Sequence, residues 1–480
     1  MVTTSSDKGE MRRRNFIAGS VLAGAGLACA PEALWGQEPA AKPNVVVFCG
    51  DDISAGDIGC FGNADVLTPN LDRLAGQGVR FTNAHCQSPL CNPSRTSFLS
   101  GLRPETTGVV DNRVPPNHYI ENLQFMHRYF NRGGYYTAGI GKMAQMRFHV
   151  QFSGRGLDDS LPVGPQRNRK RIEPHAEKVG EHPDHYYVYT GPENLLPDQT
   201  KVNAARTRLR KLATSRQPFY MHIGFQAAHK HVYTPEQYWD RYAREELSVP
   251  AFPTDKQKKE LATSLGRDNR GDIDARYMRR TLHGYYASIT HLDQLIGEVL
   301  EELKTQGLWD NTIVVFITDH GQSINPWNPG KGNVLREGSH VPLIIRDPRT
   351  GNAGRTCSRV VEYIDLLPTL LDLCGLPEEP VLDGRSLVPL LSEPDREWDH
   401  FAQITHLRGR NVGRGIVKGD YHYVKWESPN YPPKLYNYTN DPQCYENLAD
   451  QPDYARVLKE LDACIVTGDI QLTRKPEGLK

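Results

Sequence analysis

The chain has 480 residues, 38% hydrophobic and 24% charged, which is enough for one large core with a smaller appendage or for two ordinary domains. Lys and Arg together number 57, and so do Asp and Glu. That balance excludes a global field able to collect nucleic acid or an anionic membrane, so affinity for an anionic ligand must come from local placement.

Residues 1–30 read as an export signal. Arg12, Arg13, Arg14, Asn15 and Phe16 precede a mild apolar run, residues 17–29, rich in Ala and Gly, and Ala28-Cys29-Ala30 offers a small-residue cleavage site. The run is short for a bilayer span, so no stable membrane insertion of the mature chain is expected. Arg-Arg before Asn-Phe-Ile resembles the twin-arginine signal, which carries folded proteins to the periplasm or beyond. A lipid anchor at Cys29 is disfavoured, because Gly26 stands where such sites usually carry Leu. Beyond the leader, cysteines stand at 49, 60, 86, 91, 357, 374, 444 and 464. Their spacing fits neither a C-x-x-C zinc site nor a dense disulfide scaffold, and leaves room for one or two bridges.

Residues 44–49 form a short continuous apolar run stopped by Gly50-Asp51-Asp52, the pattern of a buried parallel strand. Residues 311–318 repeat it before Asp319-His320-Gly321, and 218–225 and 341–345 are similar. Helical patterns cover 70–77, 203–212 and 276–304. This alternation predicts an α/β fold with a large, mainly parallel sheet sandwiched by helices. Polar groups just past the carboxyl ends of such strands line the ligand crevice, which is where Asp51, Asp52, Asp319 and His320 fall. Polar, proline-rich stretches at 151–199 and 248–272 interrupt the alternation and read as insertions facing a substrate. Two short strands, 422–426 and 434–438, and a helix, 454–466, predict a smaller α+β part. The expected division is a catalytic domain at 31–392 and a C-terminal subdomain at 393–480.

The most specific signal is Cys91-Asn92-Pro93-Ser94-Arg95, followed by Ser100-Gly101, Arg103-Pro104 and Thr107-Gly108. It resembles the C-x-P-S-R signature of the sulfatase family, and the resemblance extends over 44–450. It implies an alkaline-phosphatase-like fold and a sulfuric ester hydrolase. It also implies that Cys91 is oxidised to formylglycine by a formylglycine-generating enzyme. A thiolate alone is a mediocre catalyst for this reaction, whereas a hydrated aldehyde carries two hydroxyls on one carbon, one to attack sulfur and one to expel sulfate.

The family's V-x-x-D-D and T-D-H-G positions match Asp51, Asp52, Asp319 and His320, implying one metal ion shared with the side chain made from Cys91. Three carboxylates suit a hard cation with ligand distances of roughly 2.3–2.6 Å, so calcium is favoured over zinc. His320 either stands in for an amide ligand or contacts the substrate. Arg95 belongs to the signature. Lys331, in Gly330-Lys331-Gly332-Asn333, and Lys142, after Gly141, match lysines that touch sulfate oxygens. His229 matches a histidine that protonates the leaving group, with His231 close by. Relatives commonly carry a histidine shortly after the second lysine. Here Met143, Ala144, Gln145 and Met146 follow, so Gln145 or His149 is left to serve.

The wider pattern is similar to iduronate-2-sulfatase and bacterial polysaccharide sulfatases, implying a sulfated carbohydrate substrate. Arg167, Arg169, Lys170 and Arg171 form a basic cluster suited to further anions on such a polymer. Phosphonate monoester and phosphodiester hydrolases share the fold and signature, and remain the alternative. A purely binding role would require a broken nucleophile or metal set, and this set is complete.

Overall fold

A computed structural model describes residues 42–120, 123–145, 157–161, 169–179, 186–264, 274–324, 330–377 and 381–468. The expected export signal lies outside them. Eight strands build the main sheet: β1 (Asn44–Gly50), β2 (Val79–Phe81), β3 (Tyr136–Gly141), β4 (Asp159–Leu161), β5 (Phe219–Gly224), β6 (Thr312–Thr318), β7 (Leu343–Arg346) and β8 (Arg355–Cys357). Their spatial order is β8-β2-β7-β6-β1-β5-β3-β4. All run in one direction except β7, which is antiparallel to both β6 and β2.

The apolar strand runs have a direct cause in packing, since successive side chains alternate between faces and both faces are covered. Val46, Phe48, Val314 and Phe316 point to one face. There they meet helices α1 (Pro69–Ala75), α3 (Pro197–Leu212) and the 31-residue α4 (Ala275–Thr305). Val45, Val47, Cys49, Ile313, Val315 and Ile317 point to the other, against α2 (Cys91–Ser100) and α5 (Leu366–Leu373). Asp293 of α4 ties α1 down by accepting the main-chain N–H groups of Asn70 and Leu71 at 2.8–3.1 Å.

A separate antiparallel sheet follows, β9 (Ala402–Arg408), β10 (Asn411–Lys418), β11 (Tyr421–Trp426) and β12 (Lys434–Asn437), with α6 (Ala455–Ala463). Its apolar residues share one cluster with Val334 and Leu335 of the catalytic part and with Leu261 of the second insertion. That insertion is therefore partly core, not only a loop. The first insertion likewise supplies Tyr186–Tyr189 and Ala176–Lys178 to a three-stranded sheet with Val232–Pro235. All eight cysteines in the described residues are free thiols, so neither of the bridges left open by the sequence forms. No helix among the described residues is long and apolar enough to cross a membrane.

Candidate active site

The parallel register of β1 and β6 sets Gly50 opposite Thr318. The two strands end level, and the next residues, Asp51-Asp52 and Asp319-His320, emerge side by side. β5 and β3 are in step with them, Gly141 pairing with Gly224 and Gly224 with Cys49. Lys142 thus leaves its strand at the same height. Its N–H donates to the Gly224 carbonyl at 2.9 Å. A Cβ at Gly224 would stand 2.0 Å from the Lys142 carbonyl oxygen, so only glycine lets the two chains approach.

Cys91 opens α2 and is 2% exposed. Asn92 fixes this helix start, its side chain donating to the carbonyls of Asp111 and Val114 while its N–H donates to Asn112 Oδ1 at 2.9 Å. One turn on, Ser94 Oγ donates to the Asp319 carbonyl. Arg95 is 1% exposed. It donates from Nε to Asp319 Oδ2 at 3.0 Å, reaches the Gly50 carbonyl at 3.3 Å, bonds the Lys142 carbonyl, and lies 3.6 Å from Asp51 Oδ1. This arginine joins three strand ends and points its charge at carboxylates beneath the cleft.

Around the Cys91 sulfur stand His320 Nε2 at 3.3 Å, Lys331 Nζ at 3.4 Å and Asp51 Oδ1 at 3.9 Å. Lys331 also bonds both oxygens of Asp52 at 2.9 Å. Lys142 bonds Asp51 Oδ2 and lies 3.9 Å from Asp319 Oδ2. His229 Nε2 faces Asp52 Oδ2 at 4.0 Å, and its Nδ1 donates to the Lys230 carbonyl at 2.6 Å. His320 Nδ1 donates to the Gly321 carbonyl at 3.0 Å, which leaves Nε2 turned toward Asp52 Oδ1 at 3.2 Å. The structure therefore brings Asp51, Asp52, Cys91, Arg95, Lys142, His229, Asp319, His320 and Lys331 into one cluster, buried except at His229 and Lys331, which are partly exposed.

Three carboxylates and three permanent cations in so small a space shift one another. Burial and the neighbouring Asp319 push Asp51 up to about 7. Burial opposes ionisation of Asp52 too, but Lys331, His320 and His229 bring it down to about 2. Burial also works against a charged Cys91, yet Lys142 and Lys331 outweigh it and hold the thiol well below its usual range. His320 is driven up to about 9, burial being overcome by Asp319 and its other anionic neighbours. The field at residue 91 thus favours an anion.

Ligand atoms of Asp52, Cys91, Asp319 and His320 lie within 4.8 Å of one another, all buried. Two carboxylates, an imidazole and the residue-91 atom converging in this way fit a divalent cation, with Asp51 standing beside the group and bonded to Lys142. An oxygen in place of the Cys91 sulfur would fall within reach of Lys331 and His320, so the pocket also accommodates an oxidised residue 91.

The weaker candidates are not drawn in. Gln145 makes no hydrogen bond to the cluster among the described residues, and its Oε1 is buried without a partner. His149 and Arg167 lie outside the described residues. Arg169 begins a short helix, Arg169–Ile172, in which Lys170 and Arg171 are exposed.

Sequence reasoning missed Tyr285, whose hydroxyl donates to the Asp52 carbonyl at 2.9 Å and to Asp57 Oδ2 at 3.1 Å. It also missed Asp198. That carboxylate accepts the N–H groups of Gln226 and Ala227 at 3.0 Å and pairs with buried Lys201 at 2.6 Å, fixing the loop that leads to His229. Only the helical spacing of Tyr285 among apolar residues, and Asp198 directly after Pro197, hinted at either.

A mostly parallel sheet with buried acids at two strand ends and a nucleophile position at a helix start defines the alkaline-phosphatase-like class of hydrolases. The chain belongs to the sulfatase family, whose model matches residues 43–376, and it is a sulfuric ester hydrolase. The C-terminal model of N-sulphoglucosamine sulphohydrolase matches 330–469. An arylsulfatase of Clostridium perfringens is 29% identical over 91% of this chain and 96% of its own. Human iduronate 2-sulfatase is 29% identical over 70% of each. A phosphonate monoester hydrolase of Agrobacterium radiobacter superposes with a TM-score of 0.75 at 25% identity, over 88% of this chain and 94% of its own. A protein in complex with its substrate D-glucosamine-2-N,6-O-disulfate gives 0.70 at 21%, over 88% and 96%, a likeness of fold.

Proposed function

We propose that the enzyme removes sulfate from a sulfated carbohydrate, using formylglycine made from Cys91 and one calcium ion. The observation that carries this reading is the position of the Cys91 sulfur between Lys331 Nζ and His320 Nε2, above paired acids. Asp52, Asp319, His320 and the residue-91 side chain would hold the cation, with Asp51 adjacent. The cation would neutralise charge on the sulfuryl oxygens and ease deprotonation of a nearby hydroxyl. Formylglycine would supply the geminal hydroxyl pair on which attack and sulfate release depend.

The chain's own residues do the remainder. Lys331 and Lys142 stabilise an anion at position 91 and bond sulfuryl oxygens. His229, its tautomer fixed by the Lys230 carbonyl, presents Nε2 to protonate the leaving alcohol. Arg95 touches no open space and acts as a positioning residue for Asp319 and Asp51. The leader with Arg12 and Arg13 supports an exported, periplasmic or extracellular enzyme, where polymeric glycans are met. The basic cluster at 167–171 would favour multiply sulfated chains.

Parallel assays on matched sulfate esters and phosphonate monoesters test the reading, together with mass spectrometry across Cys91. Turnover of sulfate esters and a loss of about 18 Da at that residue are expected, from replacement of the thiol by an aldehyde. A clear preference for phosphonates, or full activity with an unmodified thiol, would overturn it.

A further inference from the structure

Conversion of residue 91 exchanges a sulfur for oxygen, and in the chain as translated the sulfur belongs to the metal-binding group. The converging atoms are then the Cys91 sulfur, His320 Nε2 and one carboxylate oxygen each from Asp52 and Asp319, all within 4.8 Å of one another. One soft sulfur, one imidazole nitrogen and two oxygens make a zinc-type set, whereas calcium takes six to eight oxygens. Asp51, the remaining carboxylate nearby, is engaged by Lys142.

The spacing agrees with that donor set. Zinc bonds of about 2.0–2.3 Å at tetrahedral angles put neighbouring ligand atoms roughly 3.3–3.7 Å apart. His320 Nε2 lies 3.3 Å from the sulfur, 3.2 Å from Asp52 Oδ1 and 3.8 Å from Asp319 Oδ2. The surrounding bonds match as well. His320 Nδ1 donates to the Gly321 carbonyl at 3.0 Å, which leaves the Nε2 lone pair for a metal, and Arg95 Nε holds Asp319 Oδ2 at 3.0 Å. Outer bonds of this kind orient the ligands of zinc sites. Lys331 bonds both oxygens of Asp52 at 2.9 Å, and an ion at Oδ1 leaves it the bond to Oδ2. A thiol that gives up its proton to solvent on coordination adds a fourth negative charge to the carboxylates of Asp51, Asp52 and Asp319, against the cations of Arg95, Lys142 and Lys331.

We infer that the folded, unconverted chain is a zinc protein, in which Cys91, His320, Asp52 and Asp319 bind zinc in preference to calcium, and that conversion of Cys91 reverses the order. The reversal rests on the sulfatase reading, in which oxygen replaces the sulfur; zinc binding by the cysteine form does not. A chain that folds before conversion would hold its thiol, 2% of the residue being accessible, as a metal ligand.

The full chain, made without a formylglycine-generating enzyme and stripped of metal by chelation, is titrated with cobalt(II) as a spectroscopic stand-in for zinc. Zinc and calcium then compete for the site. A sulfur-to-cobalt charge-transfer band should grow in to about one ion per chain. Zinc should bleach it, and calcium in about 100-fold excess should not. Cys91→Ser presents an oxygen and should abolish the band, which separates Cys91 from the other free thiols. The same variant should lose at least ~10²-fold in zinc affinity and bind calcium no more weakly than the cysteine form does. The converted chain should prefer calcium in the same competition. No band, a band that survives Cys91→Ser, or displacement of cobalt by calcium as readily as by zinc would overturn the inference. Should the variant misfold, a crystal structure of the unchanged cysteine form soaked in zinc decides. An anomalous peak bonded to the Cys91 sulfur supports the inference, and its absence refutes it. None of these outcomes touches the sulfatase reading, which stands or falls on sulfate-ester hydrolysis by the converted chain.

Discussion

The hydroxyl of Tyr285, in the first half of α4, holds the main-chain carbonyl of Asp52 at 2.9 Å, and Asp52 sits in the left-handed region with φ 60°. A non-glycine residue in that region costs on the order of 1 kcal/mol and persists only where its surroundings hold it. Tyr285→Phe removes the donor and leaves a buried carbonyl unpaired. We expect a loss of about 1–3 kcal/mol in stability, and a fall in kcat/KM of about tenfold, the rate equivalent of roughly 1.4 kcal/mol. Wild-type turnover and melting temperature in this variant would show that the phenol does not hold Asp52.

Arg95 is the only guanidinium joining Asp319, Asp51 and three main-chain carbonyls among the described residues. Arg95→Met takes the cation away and leaves buried carboxylates facing one another. Chemical denaturation should show a loss of about 3–5 kcal/mol, the scale of breaking a buried pair from one side. A metal ion bound in excess should recover part of it.

Asp52→Asn and Asp319→Asn should each reduce metal content and lower the rate by at least ~10²-fold, as for loss of one strong electrostatic stabiliser. Elemental analysis beside kinetics checks both halves. Turnover that survives exhaustive chelation would remove the ion from the mechanism.

Acid stability should depend on Glu362, fully buried and bonded by both terminal guanidinium nitrogens of Arg103, with His400 Nε2 at 3.2 Å. Burial opposes its charge, but Arg103 and His400 prevail and hold it at about 2. A lowered carboxylate pKa gives stability that is present above the usual range near 4.5 and is lost as pH falls through about 2. Asp365, pushed up to about 6 by burial, acts with the opposite sign between its usual value and 6. Glu362→Gln should therefore flatten the acid limb below pH 4.5 in a plot of melting temperature against pH. An unchanged limb would assign acid unfolding to other groups.

What could be read from the chain followed from local pattern. The runs V-V-V-F-C and T-I-V-V-F-I-T had to be strands buried on both faces, and acids directly after them had to stand at the sheet's carboxyl edge. Reversal of β7 was not legible, because a four-residue apolar run carries no direction. Strands β9 and β10 were missed since Gln403, Thr405, His406 and Arg414, polar in the sequence, are buried by pairing and by the neighbouring core. Ion pairs such as Lys331 with Asp52 join residues 279 apart, and spacing says nothing of them. The C-terminal part also proved closer to the site than its place in the chain suggested, Arg408 bonding the Gly332 carbonyl at 2.6 Å beside Lys331.

The burial of residue 91 imposes an order in time. With its sulfur covered by Lys331 and His320, and 2% of the residue accessible, no catalyst can reach that carbon once β6 and the lysine loop have closed over α2. Any oxidation of Cys91 must therefore be complete before the polypeptide collapses.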